Sequence, residues 1–228
     1  MSADTAYLAL LLDAPLQSWG FASRFQRRTT GLHPTKSGVI GLICAAMGVA
    51  KGSDAEREAV PQLAALKMTS IIMPRYAIRR IEDFHTVLKT RRASGSMNPD
   101  PVVTRRQYLV DACFGIILNG DRVLLERTAN ALQDPVWGMW LGRKNCIPAR
   151  PLFVAVCDTY EKAWQAILRS LGADEALPIE SFTRVEDVDD FAAGTDSYND
   201  QPVSFGHADS SSEGRVYSVR RVRLEPGD

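Results

Sequence analysis

The hydrophobic pattern divides the 228 residues into short apolar blocks separated by polar, turn-forming stretches. Tyr7-Leu-Ala-Leu-Leu-Leu12 is almost continuously apolar, the pattern of a central strand buried on both faces. Ala14-Pro-Leu-Gln-Ser-Trp-Gly20 breaks it, and the basic stretch to Thr30 predicts an extended loop. Pro34-Thr-Lys-Ser37 is a helix start, because the hydroxyl of Thr35 or Ser37 can accept from the free amides of a first turn. The apolar block at residues 38–47 predicts a buried helix, with Gly48 as its stop. Residues 55–66 predict a polar helix and 68–73 a second strand. Residues 76–81 and 83–88 have strand composition, 89–104 form a long polar tip, and 108–118 return as a strand. A helix is predicted at 123–133, a strand at 151–156 and an amphipathic helix at 160–171. Residues 172–212 are acidic and weakly patterned, whereas 215–224 alternate apolar with basic residues as an edge strand does.

The order is strand, helix, strand, long hairpin with its return strand, helix, strand. It fits an α+β, ferredoxin-like βαββαβ core with a long β-hairpin insertion. No internal repeat or clean linker interrupts the chain. The expectation is therefore one domain over residues 1–228 with a projecting basic arm at about 77–107. Such a core hosts many functions, so the fold alone does not choose one.

Composition excludes more than it selects. Hydrophobic residues make up 45% and charged residues 24%, which excludes a disordered, collagen-like or coiled-coil chain. No apolar run approaches the ~20 residues of a membrane span, and the N-terminus lacks a signal peptide, so a cytoplasmic protein without a membrane partner is expected. Four isolated cysteines, Cys44, Cys113, Cys146 and Cys157, read as buried reduced thiols. No P-loop, dinucleotide fingerprint, nucleophile elbow or clustered metal ligands occur, so neither a cofactor nor a metal is expected.

Charge changes the picture. Lys and Arg total 27, as do Asp and Glu, yet the signs are segregated. Residues 14–53 carry five bases and no acid, 75–106 carry eight bases and three acids, and 171–200 carry nine acids and one Arg. Arg24, Arg27, Arg28 and Lys36, with Ser37, lie at or just before a predicted helix N-terminus, a setting suited to phosphate. The arm adds Arg79, Arg80, Lys89, Arg91, Arg92, Arg105 and Arg106, interleaved with Tyr76, Phe84, His85 and Tyr108. Cations for phosphates with rings for bases suit single-stranded RNA, although a solvated charged face would look the same. His33 and His85 are candidate general acids or bases, or surface residues. Trp164 reads as core. Trp137 and Trp140, in a Gly-rich loop beside Arg143 and Lys144, read either as core or as contacts to RNA or a partner.

Several ordered motifs resemble the CasD family, in the type I-E branch of CRISPR Cascade subunits. They are Ala14-Pro-Leu-Gln-Ser-Trp-Gly20, Arg28-Thr-Thr-Gly-Leu-His-Pro-Thr-Lys-Ser-Gly38, Gly41-Leu-Ile-Cys-Ala-Ala-Met-Gly48, Asp83-Phe-His-Thr-Val87, Arg106-Gln-Tyr-Leu-Val-Asp-Ala-Cys-Phe114 and Leu141-Gly-Arg-Lys-Asn-Cys146. The likeness covers roughly residues 5–157 and is weak beyond Thr159. It implies a repeat-associated RNA-binding fold related to the RNA recognition motif, with a thumb-like hairpin. It also implies binding of the guide RNA 5′ handle, capping of the Cascade backbone, contact with the large subunit, and target DNA met only through the complex. In this branch the subunit binds without cutting, whereas in another branch its equivalent is the nuclease. The alternative of a metal-independent endoribonuclease, with His33 or His85 as base, therefore stands beside the binding role.

Overall fold

Strand β1 (Thr5–Asp13) is paired antiparallel on both sides, by β7 (Cys113–Asp121) and β8 (Phe153–Cys157), in the computed structural model, which describes residues 4–20, 27–73, 78–92, 94–206 and 215–227. Strand alternation sends Leu8, Leu10 and Leu12 to one face and Ala9 and Leu11 to the other. Helices α1 (Lys36–Ala46), α2 (Asp54–Ala64) and α3 (Arg122–Gln133) cover the first face, and α4 (Tyr160–Leu171) covers the second. A strand with helices on both faces has no solvent side, which is why its apolar run is unbroken.

The main sheet has the order β10 (Asp196–Ser204), β11 (Val216–Glu225), β9 (Arg184–Asp187), β4 (Lys67–Ile72), β7, β1, β8, and its pairings are antiparallel. Helices α1 and α2 join β1 to β4, and α3 joins β7 to β8. Between β4 and β7 the chain makes a hairpin, β5 (Arg79–Val87) and β6 (Val102–Val110). Strand β6 also pairs with β2 (Leu16–Gln17) and β3 (Arg27–Arg28) in a second, smaller sheet. Thr35 is the N-cap of α1, its hydroxyl accepting from the Gly38 amide at 3.2 Å. Cys44, Cys113 and Cys146 are buried and not in disulfides, as expected, and Cys157 is half-buried and likewise not in a disulfide. Among the described residues no helix is long and apolar enough to cross a membrane.

Three expectations need correction. The strand expected over residues 108–118 is two strands, the end of β6 and the start of β7. Asp111 makes the corner between them at φ 51°, a left-handed conformation that Asp tolerates better than most residues. The strand expected at a sheet edge, now β11, lies between β10 and β9. Its alternation reflects Arg220 and Val222 facing inward, both buried. The edge is β10, which was hidden in the acidic stretch because its inward residues are Asp200 and Pro202 rather than aliphatics.

The third correction concerns Lys36. It is only 4% exposed, and its ammonium lies 2.8 Å from Asp187, so it is not a surface cation for phosphate. Burial pulls its pKa down, while Asp187 pushes back. Arg220 contacts the same Asp187 and bonds Asp200 at 2.6 Å. Burial works against the Arg220 charge, but its hydrogen bonds to Asp200 and the neighbouring Asp187 outweigh it and raise the pKa. The Asp200 carboxylate also accepts from the Lys36 backbone amide at 2.8 Å, satisfying a free donor at the start of α1. This buried network ties the last strands of the sheet to α1.

His33 stands beside it. The ring lies 6.5 Å from that of Phe114, and its Nδ1 is buried without a hydrogen-bond partner. Burial first, and Arg220 second, hold its pKa down at about 4 from an ordinary 6.5. The folded state therefore takes up the proton later than the unfolded chain as pH falls. Stability is full above about pH 6.5 and declines until about pH 4, a total of roughly 3 kcal/mol for such a shift. Denaturant titrations between pH 4 and 7 should show this decline, and His33→Phe should flatten it. An unchanged slope in the variant would assign the acid sensitivity to other groups.

Candidate nucleic-acid interface

The basic segment of the N-terminal third is fixed from its ends. Gln17 is fully buried, and its side-chain amide donates to the carbonyls of Leu12 (3.0 Å) and Ala112 (2.6 Å). Its side-chain carbonyl accepts from the indole N–H of the buried Trp19 at 3.0 Å. The Trp19 amide donates to the Thr30 hydroxyl (2.8 Å), and the Gly31 amide donates to the Trp19 carbonyl (2.7 Å). The excursion between residues 19 and 31 is thereby closed, and it returns through β3 alongside β6.

That pairing is parallel and sets Arg27 opposite Arg105 and Arg28 opposite Arg106. Residues directly opposite one another point to the same side, so two pairs of like charges face each other across the ladder, an arrangement unfavourable by itself. Acids compensate in part: Glu82 lies 3.9 Å from Arg105, and Asp83 is opposite Arg106 on β5. The charge left over on this exposed surface is positive. Aromatic rings accompany the cations. Arg105 lies over Phe84 at 5.1 Å, and Phe84 is 61% exposed.

The loop after α3 completes the surface. The Ser18 amide donates to the Leu141 carbonyl at 3.0 Å, and the Leu141 amide donates to the Cys146 carbonyl at 2.8 Å. Arg143 sits over the Tyr108 ring at 4.5 Å, and Asn145 donates to the Tyr108 hydroxyl at 3.1 Å. Lys144 is exposed and lies 5.8 Å from the Trp140 ring. Trp137 and Trp140 are 44% and 38% exposed, so neither is a core residue. Trp164 is buried in the core under α4, as expected.

The predicted residues thus divide. Arg27, Arg28, Arg105, Arg106 and Arg143 come together at the β3–β6 ladder, with Lys144 on the same loop as Arg143. Arg91 and Arg92 do not join them. They lie at the hairpin tip, where Arg92 bonds Asn98 at 3.2 Å. At about 3.3 Å per residue, the start of β6 alone puts them ~10 Å or more beyond Arg105. His85 is exposed on β5 opposite Thr104, away from His33. Ser37 is half-buried beside the Thr35 cap, at 3.5 Å between hydroxyls. Arg24 lies outside the described residues. Sequence reasoning missed Gln17, Ser18 and Gln107, which build the surface through the backbone and carry no charge to mark them.

A family model described as CRISPR-associated protein (Cas_Cas5) matches residues 7–223. The chain belongs to this Cas5 family. The match includes the acidic C-terminal stretch, where the motif likeness fades. The CRISPR system Cascade subunit CasD of Escherichia coli (strain K12) is 30% identical over 160 residues, 67% of this chain and 71% of that protein. Among solved structures, a chain of a CRISPR RNA-guided surveillance complex superposes with a TM-score of 0.72 at 28% identity, covering 97% of this chain and 90% of its own. A crystal structure of a Cas protein gives 0.63, also at 28% identity, covering 97% and 95%.

In this Cas5 chain, Gly142 is the narrowest point of the surface. Its φ is 101°, and a Cβ there would lie 1.7 Å from the Ser18 carbonyl oxygen. Gly142→Ala should therefore push the loop off Ser18 and cost about 3 kcal/mol or more, combining strain with a backbone clash. Gly172, at φ 67° with nothing near its missing Cβ, is the control. Gly172→Ala should cost about 1 kcal/mol. Urea denaturation of both variants checks the ranking, and equal losses would show that the loop yields without strain.

Proposed function

We propose that this chain is a non-catalytic subunit of a CRISPR Cascade complex that binds the 5′ handle of the guide RNA and caps one end of the backbone. The observation that carries the reading is the juxtaposition of Arg27, Arg28, Arg105 and Arg106 by the β3–β6 pairing. Phosphates along a single strand would take these arginines, and the exposed Phe84 and Trp140 rings beside Arg105 and Lys144 would take bases. His85, Arg91 and Arg92, further along the hairpin, would follow the strand away from that centre. Trp137 and Trp140 would contact a neighbouring subunit or the RNA, since Trp and Arg concentrate at interface centres.

The finer fold reading belongs here too. The main-sheet order β4, β7, β1, β8, with α1 and α3 on one face, matches what a ferredoxin-like, RNA recognition motif-like core requires. The β5–β6 hairpin would serve as its thumb, the arm of a single RNA-binding domain. The partners would be the guide RNA, the Cascade backbone subunits and the large subunit, with target DNA reached only through base pairing in the complex. Cytoplasmic location follows from that role. An endoribonuclease reading is not favoured: His33 is half-buried in the loop before α1, its Nδ1 enclosed and its ring near Phe114 of the main sheet, whereas His85 is exposed on β5 of the smaller sheet.

Handle-RNA binding by the chain, alone or assembled, should weaken steeply with salt. Arg27→Ala, Arg28→Ala and Arg106→Ala should each weaken it about fivefold. Each should also reduce the salt slope by about 0.7, the value for one single-strand phosphate contact. Mobility-shift titrations across salt test this, and three unaffected variants would sink the assignment. Incubation with labelled precursor repeat RNA should give no cut product.

Trp140→Ala should reduce recovery of the assembled complex while leaving the melting midpoint nearly unchanged. A buried aromatic would instead cost roughly 3–5 kcal/mol, and a large drop in the midpoint would mark Trp140 as a packing residue.

A further inference from the structure

We infer that Arg143 is a positioning residue, which holds β3 against β6 so that Arg28 and Arg106 present a paired surface, rather than a phosphate ligand itself. The inference rests on the RNA-binding reading above and deepens it. The Arg143 guanidinium donates from Nη1 to the Gln107 carbonyl at 2.9 Å and from Nη2 to the Arg28 carbonyl at 3.1 Å. One acceptor belongs to β6 and the other to β3, so the planar fork spans the two strands. Its flat face rests on Tyr108 at 4.5 Å, and Asn145 of the same loop donates to the Tyr108 hydroxyl at 3.1 Å. Strand β3 is two residues long, and a parallel ladder of that length has little stability of its own. The like-charged pairs Arg27–Arg105 and Arg28–Arg106 act to separate the strands. Arg143 opposes that separation with donors on both sides. A lysine keeps the charge but cannot span two carbonyls while stacking on a ring.

The test uses the full chain, or the complex that contains it, with handle RNA as the probe. The variants are Arg143→Ala, Arg143→Lys, the pair Arg28→Ala/Arg106→Ala, and that pair combined with Arg143→Ala. A positioning role predicts that Arg143→Ala and Arg143→Lys weaken binding equally, by about tenfold. Adding Arg143→Ala to the paired variant should then change affinity and salt slope by less than about twofold, since the residue acts through those two. Hydrogen exchange should speed up at the amides of residues 27–28 in both single variants, with the melting midpoint little changed. Rescue by lysine, additive losses, or unaltered exchange at β3 would overturn the assignment and make Arg143 a direct ligand. Unfolding of both single variants would overturn it as well, making Arg143 a residue of global stability. Failure of the underlying reading is recognisable separately, because the unmodified protein would then not bind the handle RNA.

Discussion

Backbone pairing of Arg27 and Arg28 with Arg105 and Arg106 sets two like-charged pairs opposite one another, one pair on each face of the ladder, and uncharged contacts around it hold the strands in place. The buried Gln17 amide anchors the chain entering the excursion to β1 and to the corner before β7. Trp19 closes the excursion on itself. Gly142 allows the 141–146 loop to lie directly on the Ser18 backbone, closer than any side chain permits. Each of these contacts is uncharged, and each is needed because the charged residues would not hold this arrangement on their own.

The acidic C-terminal stretch is a counterpart to this surface rather than a second one. Asp187 and Asp200 neutralise Lys36 and Arg220 in the interior, Glu186 pairs with Arg184 and Arg223, and Glu175 pairs with Arg169. Burying Lys36 and Arg220 is tolerable only because each meets a carboxylate at hydrogen-bond distance. The segregation of charge along the sequence therefore has two physical meanings. The described bases of the hairpin from Arg79 to Arg105 face outward, with few acids to meet them. Much of the acidic run folds back on bases from elsewhere in the chain, which is how a neutral protein carries an exposed cationic surface.

Local order determined most of the elements. The unbroken apolar run at β1, the Thr35 cap before α1 and the amphipathic spacing of α4 each depend on near neighbours, so each was legible in the sequence. The basic character of the hairpin and the burial of Cys44, Cys113 and Cys146 were legible for the same reason. Strand β10 was not, because its inward positions are Asp200 and Pro202, whose burial makes sense only beside Arg220. Nor was the corner at Asp111, where one left-handed residue splits an apolar run between two sheets. Tertiary structure alone decided which cations remain available: Lys36 and Arg28 lie eight positions apart in the same basic stretch, yet one is buried on Asp187 and the other exposed on a strand. The sequence by itself determined the kinds of residue present, because composition and periodicity are local. Their partners came from distant parts of the chain, 151 positions away for Lys36 with Asp187 and 115 for Arg28 with Arg143, and only the folded sheets create that proximity.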